Sequence, residues 1–138
     1  MIGVVDASFA LSWLLTDEHS PASDALFAQV AESGAVVPSL WRLEIANALQ
    51  ISVKRRRITP AYRDAAIQKL SYLPIELDTE TDAQAWTTTL HLADSHQITV
   101  YDACYLELAL RRNLPLATRD AALAVAAGNA GVKLLSTR

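Results

Sequence analysis

Hydrophobic and polar positions along the chain change period repeatedly. Residues 2–5 are short, apolar and β-branched, and Asp6-Ala7-Ser8 follows directly, the pattern of a buried strand feeding a helix. Residues 9–15 are apolar with helical spacing. Ser20-Pro21 reads as an N-cap and first helical position, and Ser33-Gly34 closes that helix. Residues 35–38 fit a second strand. From residue 39 to about 53 the pattern is helical, and Thr59-Pro60 starts a further helix that runs to about Tyr72. Residues 74–77 fit a third strand, and residues 79 to about 96 are again helical. Thr99 caps a helix over residues 100–112, and residues 114–118 read as a fourth strand. Residues 120–127 form an Ala-rich helix stopped by Gly128, and residues 132–135 fit a last strand.

Strands alternate with helices throughout, and the strands are apolar on both faces. This predicts an α/β fold: a three-layer α/β/α sandwich around a mostly parallel sheet of four to five strands. No linker, repeat or low-complexity segment interrupts the pattern, so residues 1–138 read as a single domain. In open sheets of this kind ligands gather at the carboxyl ends of the strands.

Composition narrows the class. The 138 residues are 51% hydrophobic and 20% charged, enough for a core without metal or disulfide staples. Cys104 is the only cysteine, which excludes an intrachain disulfide and a cysteine zinc site and suits the reducing cytoplasm. The first residues lack a basic n-region, and Asp6 breaks the apolar run too early for a secretory signal. No stretch approaches the roughly 20 apolar residues of a membrane span. The formal net charge is -3, yet the cations are segregated: residues 54–57 are Lys-Arg-Arg-Arg, and Arg111-Arg112 is a second pair. Nine of the twelve basic residues are arginine, whose planar fork suits phosphate. The same runs also suit solvated helix ends, where cations complement the dipole.

Four acids stand where a solvated helix face does not explain them. Asp6 follows the first strand, and Asp120 closes Thr118-Arg119-Asp120 after the fourth. Both positions also suit an N-cap. Glu44 interrupts an apolar stripe of Leu40, Trp41 and Ala48, beside Asn47. Asp102 lies in the first turn of its helix, on a face with Ile98, Tyr105 and Leu106, where the helix dipole alone favours an acid. A parallel sheet brings Asp6 and Asp120 to one edge, with Glu44 and Asp102 approaching from helices. Clustered carboxylates repel one another unless a cation neutralises them. All-oxygen ligation selects Mg²⁺ or Mn²⁺ over zinc, and such ions serve in-line phosphodiester hydrolysis.

The segments Val4-Val5-Asp6-Ala7-Ser8, Glu44-Ile45-Ala46-Asn47-Ala48-Leu49, Val100-Tyr101-Asp102-Ala103-Cys104-Tyr105 and Leu116-Ala117-Thr118-Arg119-Asp120 resemble the four motifs of PIN-domain nucleases. More narrowly, they resemble those of the VapC toxins of bacterial toxin–antitoxin pairs, over nearly the whole chain. The resemblance implies a metal-dependent endoribonuclease, inhibited by a cognate antitoxin and usually a homodimer. It implies that Asp6, Glu44, Asp102 and Asp120 form the metal site, with Mg²⁺ as the ion and Mn²⁺ substituting. Thr118 matches an assisting hydroxyl, and Ser8 and Asn47 fall at supporting polar positions. Some members carry a further acid beyond the last motif; Ala121 and Ala122 follow here, which removes a ligand for a second tightly held ion.

Other residues fit blander roles. His19, His91 and His96 lack metal-ligand spacing and read as surface or cap residues. Trp13, Trp41 and Trp86 fit helical apolar patterns, as core or dimer-interface residues. Cys104 reads as a buried inert thiol. Tyr105 either packs beside Asp102 and tunes it or fills core. The alternative to a nuclease is a non-catalytic module of the same fold that holds a partner's arginine in the acidic cluster. A haloacid-dehalogenase-type phosphatase needs a second Asp where this chain has Ser8, and a receiver domain needs an acidic pair and a lysine that Asp78 lacks.

Overall fold

Four short strands, β1 (Val4–Val5), β2 (Ala35–Val37), β3 (Ile75–Leu77) and β4 (Leu116–Ala117), pair in the order β3-β2-β1-β4, every pair parallel. They belong to a computed structural model that describes residues 1–135. Every residue of β1, β2 and β4 is buried, so helices cover both faces of the sheet, and the run of β-branched and small apolar residues in these strands has that cause. Edge strand β3 is the exception, exposing Glu76 and Leu77. The chain leaves β1 toward β2 and β3 on one side and returns to pair β4 on the other. The strand order therefore reverses at β1, and the crevice beyond the carboxyl ends of β1 and β4 is the position at which such sheets bind ligands.

Gly3 permits that pairing. Its φ is +154°, and a Cβ there would stand 2.6 Å from the carbonyl oxygen of Pro115, which accepts the Val4 N–H at 2.9 Å. Only a residue without a side chain lets β1 and the entry to β4 approach this closely.

The helices are α1 (Ala7–Leu11), α2 (Pro21–Ser33), α3 (Trp41–Lys54), α4 (Pro60–Ser71), α5 (Thr81–Gln84), α6 (Leu90–His96), α7 (Val100–Arg112) and α8 (Ala121–Asn129). Ser20 and Ser23 form a reciprocal capping box with Pro21 at the first helical position, and Thr59 and Thr99 cap α4 and α7. Among the described residues no helix is long and apolar enough to cross a membrane.

Three expectations change. The helix expected over residues 9–15 ends at Leu11, because the amides of Ser12, Trp13 and Leu14 turn to carbonyls three residues back, tightening the chain toward 3₁₀ geometry. The single helix expected over residues 79–96 begins at Thr81 and contains a π-helical turn at Ala85–Thr89, where Thr87, Thr88 and Thr89 stand in a row and resist α packing at χ1. The last strand over residues 132–135 reduces to one bridge, Leu116 to Leu134. Leu116 donates to the Lys133 carbonyl and accepts the Leu135 N–H, both at 2.9 Å, and the ladder goes no further among the described residues, whose sheet has four strands. Trp13 and Trp41 are buried as expected, but Trp86, on the π turn, is 91% exposed and lies outside the chain's own core.

Candidate functional site

The cap of α1 begins the site. Asp6 follows β1 in extended conformation, and its Oδ1 accepts the Phe9 N–H and the Ser8 hydroxyl, both at 2.8 Å. Its Oδ2 accepts a short hydrogen bond from the Thr118 hydroxyl, just past β4. Thr118 Oγ1 also accepts the Asp120 N–H at 3.0 Å, and Ser8 Oγ lies 3.5 Å from it. Ser8 in turn accepts the Arg119 N–H at 3.0 Å. Asp120 Oδ1 caps α8 through the Leu123 N–H at 2.8 Å. Capping and site-building are thus one arrangement: the carboxylates that start α1 and α8 are fixed side by side at the strand-order reversal because the parallel β1–β4 register puts Val5 against Ala117.

Glu44 and Asp102 enter from the first turns of α3 and α7, both half-buried. Glu44 Oε1 accepts a short hydrogen bond from the hydroxyl of Tyr105, one turn along α7 from Asp102. Tyr105 therefore contacts Glu44, a partner sixty-one residues away that helical spacing alone does not reveal. Asn47, by contrast, is exposed on α3 and joins none of these groups by a hydrogen bond among the described residues.

The four acids act on one another electrostatically. Burial raises the Asp6 carboxyl above its ordinary value, opposed by the hydrogen bonds of Thr118, Phe9 and Ser8 and assisted by the charge of Asp120. Burial also raises Glu44, with Tyr105 opposing and the Asp6 charge adding. Asp102 is pushed up to about 6, by burial first and then by the charges of Asp120, Asp6 and Glu44. No Lys, Arg or His side chain forms an ion pair with any of the four among the described residues. The cluster is a concentration of negative charge that the cations of the described residues leave unpaired.

Its donor chemistry fits a hard divalent cation: carboxylate and hydroxyl oxygens, with no sulfur and no imidazole. Among the described residues the protein bonds leave Asp6 Oδ2, Glu44 Oε2 and Asp120 Oδ2 with unused lone pairs. The side chains as they stand do not form a closed cage, however, and no group of three His, Cys, Asp or Glu is preassembled around a point among the described residues. The fit is in donor type and in uncompensated charge.

Several neighbours take other roles. Cys104 is buried, and burial followed by the charges of Glu44 and Glu107 pushes its thiol up to about 11, so it stays protonated and unreactive. His19 pairs with Asp24 at 3.0 Å, away from the acids. Arg111, half of the basic pair, is committed internally. Its guanidinium binds Asp78 through two hydrogen bonds of 3.0 and 2.7 Å and Glu107 through two of 2.7 and 3.0 Å. The spacing of Glu107 and Arg111 by four residues is the sequence signal for half of that network; its link to Asp78 crosses from the end of β3 to α7 and has no local signal. Residues 54–57 are exposed at the end of α3, and Arg57 pairs with Asp17.

A family model described as PIN domain matches residues 3–129 of the chain. No curated protein matches it. Among solved structures it is similar to PAE2754 from Pyrobaculum aerophilum, with a TM-score of 0.67 and 22% identity over 90% of this chain and 83% of that one. It is similar to FitAcB from Neisseria gonorrhoeae, with a TM-score of 0.66 and 17% identity over 97% and 96% of the two chains. It is also similar to VapBC2 from Rickettsia felis, a structure bound to a DNA fragment from its promoter, at a TM-score of 0.64 and 13% identity over 97% of each chain. At these identities the likeness is one of fold.

Proposed function

The chain belongs to the PIN-domain family, and on that premise we propose that it is a metal-dependent endoribonuclease acting as the toxin of a toxin–antitoxin pair. The observation that carries this reading is the convergence of Asp6, Glu44, Asp102 and Asp120 beyond β1 and β4 with no pairing cation among the described residues. Mg²⁺ is the proposed ion, with Mn²⁺ substituting, and Asp6, Asp102 and Asp120 are the residues that would hold it. When bound, such an ion neutralises the acids and supplies the water activation and charge stabilisation that phosphodiester hydrolysis requires. Glu44 holds the ion as well or orients the attacking water.

The remaining residues work by placement. Thr118 fixes the Asp6 carboxylate and the Asp120 backbone with one oxygen. Ser8 ties Asp6 to the Arg119 backbone, and the Arg119 guanidinium donates to the Glu18 carbonyl at 2.7 Å, which sets a cation at the rim of an acidic site. Exposed Arg55 and Arg56 are suited to the phosphates of RNA, whereas Arg119 and Arg57 already pair with Glu18 and Asp17.

An antitoxin partner and a homodimer belong to the same proposal. The first is supported by the likeness of fold to a solved toxin-antitoxin complex from Klebsiella pneumoniae, with a TM-score of 0.56 and 13% identity over 86% of each chain. Exposed Trp86 and, one turn on, exposed Leu90 support the second, as an apolar surface that a second copy would cover. The single thiol is compatible with the cytoplasm, the compartment we assign.

The test is cleavage of a mixed tRNA and rRNA pool by the purified protein with Mg²⁺, with Mn²⁺ and with EDTA, beside Asp102→Asn. Fragments that require metal and vanish in the variant support the proposal. A folded protein that neither cuts RNA nor binds Mn²⁺ overturns it in favour of the module that holds a partner's arginine.

A further inference from the structure

We propose that Tyr105 is a positioning residue that holds the Glu44 carboxylate in the four-acid cluster, an inference that rests on the nuclease reading for its metal arm only. Glu44 sits on the first turn of α3, half-buried, on a side chain with three rotatable bonds whose freedom must be given up to fix it. Beside the negative charges of Asp6 and Asp102, a free glutamate swings outward to water. The Tyr105 hydroxyl opposes that. Tyr105 is 1% exposed, among the largest fully buried side chains, and packs in the main core cluster, so the position of its hydroxyl is set by the fold rather than by the site. The hydroxyl donates to Glu44 Oε1 and leaves Oε2 without a protein donor among the described residues.

The placement links two acids of the cluster. Asp102 and Tyr105 lie three residues apart on α7, so that helix contributes one carboxylate directly and fixes a second, on α3, through a phenol. Thr118 does the same from the other side, holding Asp6 and the Asp120 backbone. Two buried hydroxyl groups, one on a helix and one past a strand, thus orient acids that would otherwise repel one another apart. The same hydroxyl also meets the Ala7 amide at the start of α1, so the test must separate its hold on Glu44 from that structural contact.

The test compares wild type, Tyr105→Phe, Glu44→Ala and the double variant, each checked for folding by circular dichroism. In the metal-free proteins, NMR relaxation of the Glu44 side chain measures its order. The proposal expects that order to fall in Tyr105→Phe; an unchanged Glu44 overturns it, whether or not the protein is a nuclease. In the second arm Mn²⁺ binding is titrated by calorimetry and RNA cleavage is followed as kcat and KM separately. Tyr105→Phe should weaken Mn²⁺ binding or kcat by roughly 10-fold or more, as loss of a group that orients a ligand does, with little change in KM. In the Glu44→Ala background, which has no acceptor left to position, the same substitution should change neither, because its effect runs through Glu44. Equal losses in both backgrounds mean a structural role and overturn the proposal. A wild type that binds no Mn²⁺ and cuts no RNA defeats the nuclease reading, while the relaxation result still decides the positioning role.

Discussion

Replacing Asp102 by Asn in the metal-free protein should make it more stable at neutral pH, the reverse of what substitution of a half-buried, motif-bearing residue ordinarily does. The fold raises the Asp102 carboxyl from 3.8 to about 6, through burial and the charges of Asp120, Asp6 and Glu44. Between those two values the folded state holds a proton that the unfolded chain has released. Folding stability therefore declines as pH rises from about 4 to about 6, and the full penalty is present above that window. A shift of about two units corresponds to roughly 3 kcal/mol at most. Asp102 is half-buried, so solvent screening reduces this to about 1–2 kcal/mol. Asn fits the same space without the charge and escapes the penalty. Thermal unfolding followed by circular dichroism in EDTA at pH 7.5 should show Asp102→Asn melting roughly 3–6 °C above wild type for a chain of this size. At pH 4 the difference should disappear. The sign is specific to the acid cluster: Asp78 has its carboxyl lowered by Arg111 against its own burial, so its stabilisation is present above the ordinary value and is lost only as pH falls below it. A variant that melts below wild type at pH 7.5, or one whose advantage persists unchanged at pH 4, refutes the reasoning. Added Mn²⁺ should reverse the ranking by stabilising wild type alone.

Three further outcomes test the surrounding structure. Arg111→Met strips both partners from buried Asp78 and Glu107, and should cost about 3–5 kcal/mol in urea unfolding because two carboxylates remain buried without a cation. Thr118→Val keeps the volume but leaves the buried Asp6 Oδ2 and the Asp120 N–H without their partner; a loss of about 1–3 kcal/mol and weakened Mn²⁺ binding are expected, with Thr118→Ser restoring both. Two glycines should respond with opposite sign. Gly3→Ala drives a Cβ into the Pro115 carbonyl and should cost on the order of 2 kcal/mol, whereas Gly128→Ala, inside α8 with open space around it, should gain about 0.5–1 kcal/mol in the same denaturation assay.

Much of the site is legible along the chain because local chemistry places it. Asp6 and Asp120 follow apolar strands and precede helices, so each is visible both as a cap and as an acid at a sheet edge, and the structure makes them both at once. Glu44 is visible because a carboxylate on an apolar stripe needs a reason. The caps at Ser20, Thr59 and Thr99 are legible for the same local cause: an oxygen within three residues of an orphan amide. Asn47 stands at a matching position and is exposed, with no hydrogen bond to the acids among the described residues.

Periodicity and capping are properties of neighbouring residues, and through them the sequence by itself determined the alternation of strands and helices, the parallel sheet and the four acids. What crosses the chain was decided by the tertiary structure. The bond from Tyr105 to Glu44 spans sixty-one positions and that from Thr118 to Asp6 spans 112. The Asp78–Arg111–Glu107 network was likewise fixed only when β3 and α7 came together. So was the reduction of the last strand to a single bridge between Leu116 and Leu134. Hydrogen bonds of this kind depend on ångström-scale distances between elements, and those distances come from packing the whole core rather than from any local run of residues.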